Sequence, residues 1–277
     1  MVIYEPNKYL KDGFLKVWPH MFRDLLASMG LGYRLFLRDF TAKYRQSLFG
    51  MLWVVFLPLF TVSVFVGMNK SGILNSNATS VPYTVFVLFG MTIWTLFTGL
   101  ISSIAGIVGQ SSGFITKINF QKIALVLSPI LVSFVDFMVR LILLAIVMMI
   151  TKTVPSGYFF LFPLVVLPII FLAVGFGMFF APIGAVFKDI PNFLNIFLSV
   201  AMFLMPVVYL LPGTGIIYQI NMYNPLYYLL DESRNIFFAG NIVDPQAWSL
   251  SALFSLVIFF AGWRFYHVSI SRIVEKV

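Results

Sequence analysis

The sequence predicts an all-α polytopic membrane protein: six transmembrane helices, an N-terminal amphipathic helix at the membrane interface, and an external re-entrant helical hairpin between spans five and six. Three observations carry the prediction. Residues 47–69, 83–110, 158–187, 193–211 and 247–263 contain no Asp, Glu, Lys or Arg, and about 20 apolar residues suffice to cross a bilayer. The 277 residues are 60% hydrophobic and 10% charged, with a mean hydropathy of +0.97, whereas a soluble domain carries about 25% charged residues. The basic residues, finally, are distributed as a membrane topology requires rather than as a nucleic-acid patch, despite the net charge of +8.

Residues 1–46 form the first segment, expected on the cytoplasmic side, and residues 47–277 the six-span domain with a short cytoplasmic C-terminus. Residues 1–46 carry scattered Lys, Arg and acids with no compact apolar core before a small-residue cut site, so no cleavable signal is expected. Within them, residues 22–46 mix Leu25, Leu26, Leu31, Leu35, Phe36 and Phe40 with Arg23, Asp24, Arg34, Arg38, Asp39 and Lys43. That alternation suits a helix lying in the interface plane, and Gly30-Leu31-Gly32 is expected to split it.

Six spans follow: 47–69, 83–110, 124–150, 158–187, 193–211 and 247–263. With the N-terminus in the cytoplasm, Lys8, Lys11, Lys16, Arg23, Arg34, Arg38, Lys43, Arg45, Lys117, Lys122, Lys188, Arg264, Arg272 and Lys276 lie inside. Only Lys70, Lys152 and Arg234 lie outside, and Arg140 falls within a span, so both termini are expected in the cytoplasm. Span two would be about 42 Å long against a hydrocarbon core of about 30 Å, so it tilts or protrudes. Pro163, Pro168 and Pro182 in span four call for a kinked helix.

Two connections stand out. Residues 111–123 make a short loop holding Thr116-Lys117-Ile118-Asn119-Phe120-Gln121-Lys122, a polar turn expected to present Ile118 and Phe120. Residues 212–245 are too apolar for an ordinary loop and are broken at Pro212-Gly213, Asn224-Pro225 and Gly240. Two short helices dipping into the outer leaflet would bury them, and such breaks at membrane depth stand only against protein or a wet cavity.

The run from Arg38 to Trp53, with Tyr44-Arg45 and Gly50-Met51-Leu52-Trp53, closing on Leu57-Pro58-Leu59, resembles the start of span one in permease subunits of polysaccharide-exporting ABC transporters. Phe187-Lys188-Asp189-Ile190-Pro191-Asn192 resembles that family's loop between spans four and five, with Lys where Arg is more usual, and Asn224-Pro225-Leu226 through Asn235 resembles its outer hairpin. The likeness runs from about residue 22 to 263. It implies a homodimer of six-span subunits with two separate ATP-binding cassette subunits, exporting a lipid-linked glycan of the O-antigen lipopolysaccharide type across the inner membrane of a bacterium. Teichoic acid, capsule, drug and lipid exporters share the scaffold. No Gly-rich P-loop ending in Gly-Lys-Ser or Gly-Lys-Thr is present, so ATP and Mg are expected in the partner chain and none in this one.

Each candidate site has a plainer reading beside it. The resemblance makes the loop with Lys117, Ile118, Asn119, Phe120 and Lys122 a coupling helix that seats in the ATPase; the plainer reading is a turn with two topogenic lysines. It makes Arg34, Arg38, Lys43 and Arg45 a gate that receives a lipid pyrophosphate, for which guanidinium forks are suited; otherwise these residues anchor a helix to lipid phosphates. Trp53, Phe56 and Phe60 share one face of span one and Phe193 and Phe197 one face of span five, which suits a glycan channel across a dimer or simple lipid contact. Asp136 and Arg140, four residues apart in span three, are expected to bond to each other as a structural clasp rather than to relay protons.

No cysteine is present and no acid or histidine cluster suits catalysis or a metal, which argues against an enzyme. Secondary transport would call for ion-binding acids within the membrane or inverted repeats with matching broken helices, and neither is found.

Overall fold

The computed structural model describes residues 17–45, 49–50, 52–72, 79–111, 113 and 120–273. Among these the chain is helical, with no strand. In order the helices are α1 (Val17–Arg45), α2 (Leu52–Lys70), α3 (Tyr83–Gln110), α4 (Ala124–Thr151), a 3-10 turn (Phe159–Leu161) running into α5 (Phe162–Val186), α6 (Ile190–Leu204), α7 (Ile216–Met222), α8 (Pro225–Phe238) and α9 (Pro245–Ile273).

The apolar runs become helices because a backbone in lipid must satisfy every N–H and C=O within its own segment. Five of these helices are long and apolar enough to cross a membrane: α2, α3, α4, α5 with its leading turn, and α9. The fifth expected span is shorter than expected. Residues 193–211 were to be helical throughout, but α6 ends at Leu204. Pro206 has no N–H to continue the ladder, and 15 residues span only about 22 Å.

Helix α3 is the centre of the bundle, with buried residues on all sides from Val85 to Val108, as expected of a helix apolar all round. It packs against α5 on one flank and α4 on another, while α5 packs most extensively against α9. At the α5–α9 crossing the two backbones touch: a Cβ placed on Gly262 would lie 2.1 Å from the Gly175 carbonyl oxygen. Without a hydrophobic drive between helices in lipid, such close contact of small residues is what holds a crossing together.

Helix α1 runs unbroken through Gly30-Leu31-Gly32, contrary to the expected split. Gly32 is instead a contact point, since a Cβ there would meet the Leu127 side chain of α4 at 2.7 Å. The buried stripe Val17, Met21, Ser28, Gly32 and Leu35 faces the bundle. Its first turns meet α9 through Trp18 on Phe260, edge-on at 5.5 Å, and Phe22 on Trp263 at 4.9 Å. Its later turns lie on α4, so α1 straps one end of the bundle.

At the other end, the expected pair of short helices is present as α7 and α8. Asn224 caps α8, its Oδ1 accepting the Leu226 N–H at 3.1 Å with Pro225 at the first position, which accounts for the break there. Ser156, in the loop before α5, donates its N–H to Phe237 O at 2.9 Å and its hydroxyl to Ile236 O at 2.7 Å, fastening the end of α8.

Candidate transport and coupling site

The α1 end of the bundle carries the charged chemistry. Asp39 accepts a hydrogen bond from Ser128 Oγ at 2.6 Å and pairs with Arg38 at 2.7 Å. One turn further along α1, Lys43 Nζ lies 2.5 Å from Asp136 Oδ2, and the Tyr44 hydroxyl donates to Asp136 Oδ1 at 2.5 Å. Burial raises the Tyr44 pKa, and its bond to the Asp136 carboxylate raises it further.

Asp136 and Arg140 therefore do not form the expected mutual clasp. The carboxylate is occupied by two groups from α1, and Arg140 lies one turn away, coupled to Asp136 and Tyr44 through space without a hydrogen bond or ion pair to either. The i, i+4 spacing put the two residues on one helical face, but α1 brings Lys43 and Tyr44 onto that same face.

Of the four candidate gate cations, Arg34 and Arg45 are exposed, Arg38 is paired with Asp39, and Lys43 with Asp136. Lys43 thus bonds α1 to α4, whereas the Arg38–Asp39 pair lies within α1. Tyr44, Asp39 and Ser128 belong to the same joint and were not singled out as site residues from sequence; Asp39 and Tyr44 fall in the Arg38–Trp53 run, and nothing in the sequence pointed to Ser128.

Of the expected coupling residues, Lys117, Ile118 and Asn119 lie outside the described residues, while Phe120 and Lys122 are described. Phe120 was expected to stand exposed, yet it is half-buried against the core with the Lys122 ammonium 4.2 Å over its ring. Burial also lowers the Lys122 pKa. The buried Tyr266 of α9 donates its hydroxyl to Lys122 O at 2.9 Å, so the end of this loop is tied to α9 just before it enters α4.

The ring faces are exposed as placed from sequence. Trp53, Phe56 and Phe60 join Phe49 and Leu57 around an open depression of about 330 Å³ on α2, with Phe49 edge-on to Trp53 at 5.6 Å. Phe193 and Phe197 stack at 6.2 Å along α6, where Ile196, Val200 and Phe203 are exposed too. Among the described residues nothing covers these rings.

A second polar centre, missed from sequence, lies at the hairpin end. Arg234 is 7% exposed, sits 3.9 Å over the Phe86 ring, and donates to Val207 O at 3.2 Å and Pro206 O at 3.4 Å. Space for it comes from Gly90, whose added Cβ would be 3.1 Å from the guanidinium. Beside it, the Glu232 carboxylate accepts the N–H groups of Val243 at 2.9 Å and Asp244 at 2.7 Å. Tyr83 donates to Val208 O at 2.7 Å, and Asn221 to Leu204 O at 2.8 Å. Together these bonds tie α3, the segment after α6, and the hairpin into one block; the sequence placed Glu232 and Arg234 only in the stretch that resembles the outer hairpin, as ionisable residues inside an apolar run.

The ABC-2 type transporter family matches residues 32–238. Among similar proteins, the O-antigen export system permease protein RfbA of Myxococcus xanthus is 24% identical over 261 residues, covering 92% of this chain and 98% of that protein. The polysialic acid transport protein KpsM of Escherichia coli is 23% identical, covering 84% of this chain and 90% of its own. An O-antigen export system permease protein RfbA of Klebsiella pneumoniae is 21% identical over 74% of this chain.

Proposed function

The chain belongs to the ABC-2 type transporter family, and on that premise we propose that it is the permease subunit of an exporter that moves a lipid-linked polysaccharide of the O-antigen type across the cytoplasmic membrane. Two copies pair, both with their termini in the cytoplasm, and two separate ATP-binding cassette subunits supply the energy with ATP and Mg. One observation carries this reading: relatives aligned over most of the chain are permeases or transport proteins named for polysaccharides.

The geometry supports the division of labour. The loop that precedes α4 is the candidate contact for the ATPase, and its end is held by Tyr266 of α9 while α4 is bolted to α1. A push on the loop would be felt by α4, α9 and α1 together. The uncovered rings of α2 and α6 offer flat apolar surfaces that suit the C–H faces of sugars, and pairing of two copies would bring them around a shared passage. At the far end the hairpin, held as one block with α3, would frame the exit.

The relatives named for polysialic acid favour an acidic capsule glycan as the second reading of the cargo. Deletion of this chain in its own bacterium tests glycan export against drug export. Intracellular accumulation of lipid-linked glycan, with the cell surface depleted of it, supports glycan export; unchanged surface glycan with altered drug sensitivity overturns it.

A further inference from the structure

Helix α6 ends inside a charge-free run, and side chains take over where its ladder stops. The helix closes at Leu204 with Pro206 just beyond, and irregular backbone within an apolar run stands only where protein covers it. Phe203 O accepts the Tyr209 hydroxyl at 3.0 Å and Leu204 O the Asn221 amide at 2.8 Å. Val208 O accepts the Tyr83 hydroxyl at 2.7 Å. Between them, Pro206 O and Val207 O both accept from Arg234 Nη2, at 3.4 and 3.2 Å. Neutral donors thus serve the flanking carbonyls, and a cation serves the middle pair.

The groups around the guanidinium are electron-rich. The C-terminal end of a helix carries about half a negative charge. The guanidinium carbon lies 3.9 Å from the centre of the Phe86 ring, whose face is negative. Arg234 Nη1 stands 3.7 Å from Asp231 Oδ1, so the two arms of the fork are divided between backbone carbonyls and a carboxylate. Gly90 makes the room, since an added Cβ there would lie 2.2 Å from Val207 O and 3.1 Å from Nη2. Carbonyls at the end of a broken helix hold sodium ions or protons in some transporters. Here a pocket of that kind is filled from within the chain, by a side chain that is 7% exposed.

We propose that the broken end of α6 is a cation site of the guanidinium class, built from Pro206 O, Val207 O, the Phe86 ring and Asp231, and that Arg234 is its tethered occupant. A planar fork suits two adjacent carbonyls and a ring face better than a compact, strongly hydrated ion does. Because the cation is part of α8, it cannot leave as a free ion would. The outer end of α6 and the hairpin therefore stay joined as one body, and sodium or potassium from the medium has no place there. The site does not depend on which cargo the chain carries.

The test uses the purified full chain in detergent, with guanidinium chloride at millimolar concentration as the probe and urea at the same concentration as its neutral counterpart. Amide exchange of residues 203–209 is the readout. Arg234→Ala is expected to speed that exchange about tenfold, and guanidinium to slow it again in a saturable manner. Urea is expected to leave it unchanged, whereas a gap that any small filler could close would respond to both. The wild type should respond to neither probe, nor to replacement of sodium by choline. Equal effects of guanidinium and urea on the variant, or none from either, overturn the site; a response of the wild type to sodium overturns the claim that Arg234 fills it. If Arg234→Ala fails to fold, Arg234→Lys and Arg234→Gln decide the matter. Slower exchange in the lysine variant supports the need for a positive charge, and equal exchange in the two overturns it. Transport takes no part in the readout, so failure of the exporter reading would appear elsewhere.

Discussion

Replacing Arg234 by Met removes a buried cation while keeping much of its length, and the structure sets what is lost. The guanidinium lies 3.9 Å over Phe86, an interaction worth about 2 kcal/mol when desolvated. Its bonds to Val207 O and Pro206 O, at 3.2 and 3.4 Å, are long, and Arg234 Nε has no partner among the described residues, so hydrogen bonding contributes about 1 kcal/mol at most. The pair with Asp231 is loose at 3.7 Å with the acid 35% exposed, so its loss adds little. Met also escapes the cost of burying a charge, so the net change is smaller than the sum of these contacts, and the part that depends on Phe86 is isolated by coupling. The assay is a double-mutant cycle of Arg234→Met and Phe86→Leu, read by reversible unfolding in mixed micelles. Coupling of about 1–2 kcal/mol is expected. Additivity within about 0.5 kcal/mol would refute the claim that ring and cation hold the hairpin to α3.

Other perturbations follow from the same contacts. Gly262→Leu places a side chain where only 2.1 Å separates a Cβ from the Gly175 carbonyl, so α5 and α9 must separate; monodisperse protein from this variant on size exclusion would contradict the crossing. Glu232→Ala strands the N–H groups of Val243 and Asp244, costing about 2–4 kcal/mol and speeding proteolysis at residues 239–244, while Glu232→Gln retains one acceptor and loses less. Tyr44→Phe removes a charge-assisted bond worth about 1–2 kcal/mol and should speed amide exchange in the last turns of α1; unaltered exchange would count against the joint. Because the Tyr44 pKa is raised above its ordinary 10.0, the neutral donor is the stabilised form. Its contribution is full below about pH 10 and is lost only as pH climbs through the higher folded value, so α1 exchange protection from this bond should not vary between pH 6 and 9.

The helices that cross the membrane were largely legible, because a charge-free run of sufficient length has few alternatives in lipid. Residues 83–110 and 124–150 reappear almost unchanged as α3 and α4. The fifth run, 193–211, was bounded by the absence of charge alone, and α6 stops short of the Pro206 within it. Gly30 and Gly32 read as a helix break because glycine is a poor helix former, whereas Gly32 serves to bring α1 against Leu127. The partner of Asp136 was misjudged for a related reason. Local spacing offers Arg140, and nothing local reveals Lys43, 93 residues earlier in the chain. Arg234 was read as an external charge within the stretch resembling the outer hairpin and not as a buried tie, since its ring, carbonyls and glycine come from α3 and the segment after α6.

The central claim is that this chain is a passage without an engine, worked by a separate ATPase. Reconstitution in vesicles with lipid-linked O-antigen tests it most directly, comparing this permease alone with the permease plus its cassette subunit. Glycan should cross only when both proteins and ATP are present; ATP-driven crossing with the permease alone, or none with the complete pair, would contradict the account.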